Sequence, residues 1–389
     1  MSEINNGGAS VKIVVAPDSF KGAISAREVC TSVKTGVHHV FPKAEVIEIP
    51  LADGGEGTME NLVYSSGGSF IDFEVKGPIG KPVLATIGLL GDQETAVIEM
   101  AQASGLTLLS KEDRNPLLTT SYGTGELIKH ALDRNYRKFI IGLGGSATND
   151  GGTGLLKALG VRFYSNDGYE LADGGAALIN LAFIDDSALD PRIRESSFLI
   201  ASDVTNPLCG PNGASIIFGP QKGATARDVI KLDQALFHYS KIVQKQKHMD
   251  LCKIVGGGAA GGIGAALAAF FQTTIRSGIE VVMGAIQFEE KIKGANLIIT
   301  GEGNLDSQTL SGKVITGVSK IAKKQHIPVI ALCGSFLLDK YEINELGISS
   351  AFSIVPGPCS LETAIINSSK WTIERTELIM RLLKDVKLN

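Results

Sequence analysis

Five short apolar runs in this 389-residue chain end in the same kind of loop. The loops are "PDSFKG" (17–22), "ADGGEG" (52–57), "GGSATNDGG" (144–152), "SDVTNP" (202–207) and "TGEGNLD" (300–306). The first run, "VKIVVA" (11–16), is brief, β-branched and apolar without alternation, the pattern of a strand buried on both faces. Strands of that kind stack into a parallel sheet covered by helices. Loops at their carboxyl ends then bring polar groups to one edge. One such loop is a turn, and its acids and hydroxyls are ordinary caps. Five with the same mixture of glycine, carboxylate, amide and hydroxyl imply a shared site.

The rest of the chain fits that grammar at both ends. Ser25 and Glu28 form a capping-box pattern, and Val29, Val33, Val37 and Val40 follow at helical spacing. "AEVIEIP" (44–50), "ANLIIT" (295–300), "PVIALC" (328–333) and "AFSIV" (351–355) read as further strands. Helices are predicted over 312–325 and from 361 to the end. In the middle, "FIDFEV", "PVLATIGLL" and "TAVIEM" are separated by turn residues and predict an antiparallel set, and a helical zone covers 228–246. The expected fold class is α/β with two domains. One is a doubly wound, Rossmann- or flavodoxin-like parallel-sheet domain built from both chain ends, residues 1–75 plus 291–389. The other is an inserted mixed α/β domain, 76–290. The pentapeptide "LADGG" occurs at 51–55 and 171–175, but its flanks do not continue the match, so it is no repeat.

Composition narrows the classes. A net charge of −4 with scattered Lys and Arg offers no basic face to nucleic acid or to an anionic membrane. The longest strongly apolar stretch, "IGAALAAFF" (263–271), is far short of the ~20 residues of a spanning helix, and "MSEINNGGAS" is no signal peptide. A cytoplasmic protein is expected. Five cysteines without a CxxC pair predict buried, reduced thiols, and dispersed histidines predict no zinc. The 46 glycines exceed the ~7% of an average protein and cluster between apolar runs, which implies tight backbone loops around a ligand.

That loop chemistry suits phosphoryl transfer. Glycine amides can approach a polyphosphate, one or two carboxylates can hold Mg²⁺, and Lys can balance charge on the transferring group. Familiar signatures are missing. "LSGKV" (310–314) lacks the leading glycine and the Ser/Thr of a Walker-A loop, and the protein-kinase HRD and DFG motifs are absent. Gly142–Ala147 and Gly256–Gly261 match the dinucleotide fingerprint on paper, so an NAD(P)-dependent oxidoreductase of a small hydroxy acid is a second reading. "TNDGGTG" is too polar to open a Rossmann helix, however, and no clear acid-terminated strand follows ~20 residues on. A third reading is a non-catalytic sensor of small acids.

The segments "KIVVAPDSFKG", "PLADGGEGT", "TTSYGTGELI", "IGLGGSATNDGGTGLLKALG", "ASDVTNPLCGPNGAS", "GGGAAGGIGAAL", "ITGEGNLDSQTLSGK" and "PVIALCGS" together resemble the type 1 glycerate kinases. The resemblance spans about residues 12–335, in the expected order. It implies a two-domain α/β enzyme, an active site between the domains, and transfer of phosphate from ATP to D-glycerate to give 2-phosphoglycerate. Individual roles are assigned from chemistry. Lys21 and Asp203 are the catalytic candidates, Lys21 for the substrate anion and Asp203 for the 2-hydroxyl proton. Ser19, Asn149, Asp150 and Asn206 are expected to bind glycerate. Gly144, Gly145, Ser146, Thr148, Gly301, Gly303 and Lys313 are expected to bind the ATP phosphates, and Asp53, Glu56 and Glu302 to hold Mg²⁺. No partner beyond these small molecules is expected, and the sequence leaves the oligomeric state open.

Overall fold

A computed structural model describes residues 11–55, 57–306 and 313–386. The chain divides into two compact units, 1–53 with 282–389, and 54–281.

In the first unit, five strands form an all-parallel sheet in the order Ser350–Ser353, Val329–Phe336, Leu297–Leu305, Lys12–Val15, Glu45–Glu48. Counted along the chain this is the flavodoxin-like order, with the topological switch point between Lys12–Val15 and Leu297–Leu305. Ile13, Val15, Leu297, Ile299 and Leu332 pack on one face against Val29, Val33 and Val37 of helix Ala26–Val40 and Ile379 and Met380 of helix Ser368–Asp385. Val14, Ile298 and Ala331, pointing the other way by strand alternation, are equally buried, so both faces are covered. The Ser25 capping box forms as the sequence predicts: Ser25 Oγ accepts from Glu28 N and Glu28 Oε2 accepts from Ser25 N. The single helix predicted from residue 361 is instead two, Leu361–Ile366 and Ser368–Asp385, parted at Asn367.

The second unit holds a six-stranded mixed sheet in the order Thr273–Arg276, Ser197–Ala201, Lys138–Gly142, Thr95–Glu99, Pro82–Leu89, Ser69–Lys76. The first four strands run parallel, and Thr95–Glu99, Pro82–Leu89 and Ser69–Lys76 pair antiparallel in turn, the antiparallel set read from the sequence. Ser69–Lys76 pairs along its whole length with Pro82–Leu89, and Met59 of helix Thr58–Ser66 lies against Gly88. Those contacts put residues 58–76 with the second unit, whereas the sequence-based border lay at 75/76. At the other end helix Gly278–Ala285 straddles the division, close to the expected 290/291. Among the described residues, no helix is long and apolar enough to cross a membrane.

Candidate active site

In the first unit the groups gather at the switch point. Lys12–Val15 and Leu297–Leu305 remain bonded past the end of the shorter strand: Thr300 Oγ1 donates to Ala16 O and Asp18 N to Gly301 O, both at 2.8 Å. Asp18 therefore leaves the sheet edge at a fixed position. Its Oδ1 accepts from Ser19 N at 2.6 Å and from Ser19 Oγ at 3.3 Å. Burial pushes the Asp18 carboxyl up to about 6, the negative charge of Asp53 pushes the same way, and the Ser19 hydrogen bonds and the Lys313 ammonium pull against them. Two carboxylates with a lysine in reach thus share this edge. Lys21 is exposed, and its backbone passes close to Gly303, where a Cβ would lie 3.2 Å from Lys21 N.

One expectation changes here. "TGEG" was read as a loop that presents free amides, but Leu297–Leu305 continues through it. Gly301 pairs with Leu332, and Glu302 with Cys333. A Cβ at Gly301 would sit 2.1 Å from Leu332 O, so these glycines permit close strand packing rather than a phosphate cradle. Of the expected metal set Asp53, Glu56 and Glu302, Asp53 adjoins Asp18, Glu302 is buried beside Cys333, and Glu56 lies outside the described residues; no group of three or more His, Cys, Asp or Glu that could hold a metal occurs among the described residues. Asp18 and Asp53 are close enough for their charges to interact. Two hard oxygen ligands whose charges repel suit a divalent cation that also takes phosphate oxygens, so the residues present fit Mg²⁺.

Because Asp18 holds its proton more tightly in the folded chain than in the unfolded one, stability falls as pH rises from about 3.8 to about 6. Asp18→Asn removes that loss. The variant should gain about 2–3 kcal/mol over the parent at pH 7 and nothing at pH 3.5, read by chemical denaturation at both pH values.

In the second unit the carboxyl ends of the parallel strands also converge. Gly144 follows Lys138–Gly142, Asp203 follows Ser197–Ala201, and Gly278 follows Thr273–Arg276. Gly54 packs among them, where a Cβ would meet Gly278 Cα at 2.7 Å and Ala201 Cβ at 3.5 Å. Asp203 is exposed, and its Oδ1 accepts from Gly278 N at 3.1 Å. Asn206 is tied through Nδ2 to Asn212 O at 2.9 Å, and its own carbonyl accepts from Gly258 N.

The glycine-rich stretch 141–160 splits into two parts. Gly144 and Gly145 form an exposed turn, with Gly145 at φ 71°, a conformation that suits glycine. Residues 146–150 turn inward and are buried. Asp150 has no exposed surface. It accepts from Ser121 N and Oγ at 2.8 Å each, from Gly152 N at 3.1 Å and from Gly154 N at 3.2 Å. The predicted glycerate contact at Asp150 is therefore replaced by an internal one, because its oxygens are already occupied by the loop it organises. Asn149 donates to Ser215 Oγ, while its Oδ1 and Thr148 Oγ1 are buried and meet no hydrogen-bond partner in the protein.

Sequence reasoning missed Lys222 entirely. It is 2% exposed, and its Nζ donates to Ser146 Oγ at 2.8 Å and to Thr148 O at 2.7 Å, fixing the inner half of the loop. Burial drives the ammonium down to about 7, opposed by the charge of Asp150. "GPQKG" carries no signal of this, since a lysine between glycines reads as solvated. Asp18 belongs to the first of the five strand-end loops but receives no individual role from the sequence, although its place after the first strand of a doubly wound sheet could have raised it.

The glycine run 256–261 has no role as a dinucleotide loop. It packs edge-on against the two site loops: Gly256 N and Gly258 N donate to Thr205 O and Asn206 O, and Gly151 N donates to Gly261 O. The other match, at 142–147, is followed by a helix only at Thr153–Ala158.

The family model described as "Glycerate kinase family" matches residues 13–384. A glycerate kinase of Bacillus subtilis (strain 168) is 48% identical over 94% of this chain and 96% of its own length. A glycerate 2-kinase of Escherichia coli (strain K12) is 48% identical over 91% and 93%. A crystal structure of a candidate glycerate kinase 2 from Salmonella typhimurium LT2 superposes with a TM-score of 0.89 at 47% identity, covering 97% of this chain and 99% of the other. With a family match over nearly the whole chain, relatives at this identity and a shared two-domain α/β fold, the chain is a kinase enzyme and belongs to the glycerate kinase family.

Proposed function

We propose that this enzyme transfers the γ-phosphoryl group of ATP to the 2-hydroxyl of D-glycerate, giving 2-phosphoglycerate and ADP. The observation that carries the chemistry is the pairing of Asp18 and Asp53 beside Lys313 at the switch point of a parallel sheet, where such folds take their ligands. The choice of glycerate and of its 2-hydroxyl is supported by the names of the relatives, above all the Escherichia coli glycerate 2-kinase.

Phosphoryl transfer leaves little covalent work to a protein, so positioning and charge neutralisation supply most of the rate. Asp18 and Asp53 would hold Mg²⁺, which neutralises charge on the nucleotide phosphates. Lys313 adds a positive charge to the same edge. The exposed Gly144–Gly145 turn presents backbone to phosphate, in place of Gly301 and Gly303. Lys21, exposed and cationic, takes the glycerate carboxylate, and Ser19 and Asn206 offer hydrogen bonds to the diol. The unsatisfied Asn149 Oδ1 and Thr148 Oγ1 are the reason to keep those two residues among the ligand contacts, since buried polar atoms normally find a partner. Asp203 receives the hydroxyl proton.

The test is incubation of the purified protein with MgATP and D-glycerate, followed by phosphorus NMR of the product. The expected result is 2-phosphoglycerate with one ADP per turnover. Appearance of 3-phosphoglycerate overturns the regiochemistry, and glycerate binding without ATP consumption overturns the reaction in favour of a sensor.

A further inference from the structure

The sequence predicts five buried, reduced thiols; all five are free, but only two of them are buried. Cys30 and Cys333 are buried, Cys359 is exposed, and Cys209 and Cys252 are half-buried and face each other. Their sulfurs lie 2.7 Å apart across 43 residues of sequence. Cys209 sits in the loop after strand Ser197–Ala201, three residues beyond Asn206. Cys252 sits in the short turn Leu251–Lys253, whose Asp250 accepts from the Cys252 amide at 3.1 Å. On either side the backbones are pinned. Gly210 N donates to Asp233 Oδ1 at 3.0 Å, and Gly256 N and Gly258 N bond back to Thr205 O and Asn206 O. Two sulfurs held this close, on segments stitched together by main-chain bonds, need no rearrangement of the fold to meet.

We infer that Cys209 and Cys252 form a redox-active dithiol, which a hydroperoxide oxidises to an intramolecular disulfide that a thiol reductant reverses. The pair is asymmetric. The hydrogen bond between the two sulfurs, in which either can donate, burial, and nearby Asp233 and Asp250 push the Cys209 thiol up. Cys252 is lowered by the same bond, by Ser240 Oγ at 3.4 Å and by the charge of Lys241, against burial and Asp250. Cys252 is thus the attacking sulfur, since the thiolate is the nucleophile. It attacks one peroxide oxygen, the O–O bond breaks, and a sulfenic acid and one water result. Cys209 then attacks the Cys252 sulfur, the S–S bond forms, the S–O bond breaks, and the second water leaves with the remaining thiol proton. One peroxide is reduced and two thiols are oxidised, so atoms and electrons balance. The new bond ties the segment carrying Asn206 to the turn Leu251–Lys253, which leads into the glycine run that supports it. Residues 204–213 therefore become less mobile in the oxidised protein.

The test uses the full chain and hydrogen peroxide, with readouts independent of kinase activity. Expected are the loss of two titratable thiols per chain, a mass decrease of two hydrogens, a proteolytic fragment joining Cys209 to Cys252, and slower amide exchange over 204–213, all reversed by dithiothreitol. Cys359→Ser keeps every one of these changes, which separates the pair from an intermolecular bond through the exposed thiol. Cys209→Ser and Cys252→Ser each abolish them. Stepwise addition of oxygens without a joined fragment, or an unchanged fragment in either serine variant, overturns the proposal.

Discussion

Replacing Asp203 by Asn lowers kcat by about 10²- to 10⁴-fold, the usual worth of a positioned general base, and leaves the affinity for ATP unchanged. The substitution is chosen for what it retains. Asp203 Oδ1 accepts from Gly278 N at 3.1 Å, at the start of helix Gly278–Ala285, and an asparagine oxygen accepts that bond equally well. If Asp203 only holds the helix start in place, the variant is a normal enzyme. If the carboxylate receives the hydroxyl proton, the amide cannot, because its oxygen is too weak a base. Steady-state kinetics in glycerate, with nucleotide binding measured alongside, decides between the two. A kcat within a few-fold of the parent removes Asp203 from the chemistry and leaves it a structural acceptor.

Asp150→Ala should destabilise the second unit by about 3–5 kcal/mol, the cost of leaving several buried donors without their acceptor and a buried cation without its neighbouring charge. The substitution strips partners from Ser121 N, Gly152 N and Gly154 N together, and removes the negative charge that opposes the desolvation of Lys222. Denaturant unfolding at pH 7 reads the loss directly. Lys222→Met tests the other half of the brace. It deletes the bonds to Ser146 Oγ and Thr148 O, so it should loosen the loop that ends in the exposed Gly144–Gly145 turn. The parent's own pH profile carries the same signature. With Lys222 lowered to about 7 from 10.5, the unfolded chain binds more protons between those values, so this group's contribution to stability rises as pH climbs from 7 toward 10.5. An Asp150→Ala variant as stable as the parent would mean that the loop does not depend on its buried carboxylate.

The pentapeptide "LADGG" shows why residue type alone could not assign roles. In its first copy Asp53 faces Asp18 as a like charge, on the edge where a cation and phosphates are proposed to bind. In its second copy Asp173 lies between two lysines, with Lys76 Nζ at 2.8 Å and Lys157 Nζ at 3.0 Å, and its charge is balanced within the protein. Five identical letters meet a like charge in one copy and two lysines in the other, because the neighbours come from far along the chain.

What the sequence by itself determined is what local chemistry determines. Unalternating β-branched runs make the buried parallel strands, Ser25 and Glu28 start the first helix, and strand-end loops supply the polar groups. The tertiary structure alone decided how those pieces meet. It set the strand order that makes Lys12–Val15 and Leu297–Leu305 neighbours, extended the ladder through Gly301 and Glu302, and turned Asp150 inward. It also buried Lys222 and brought Cys209 to Cys252. Each of those outcomes rests on burial and on partners tens to hundreds of residues away. Propensity and periodicity act over a few residues, whereas desolvation and hydrogen-bond satisfaction are fixed only when the whole fold is in place.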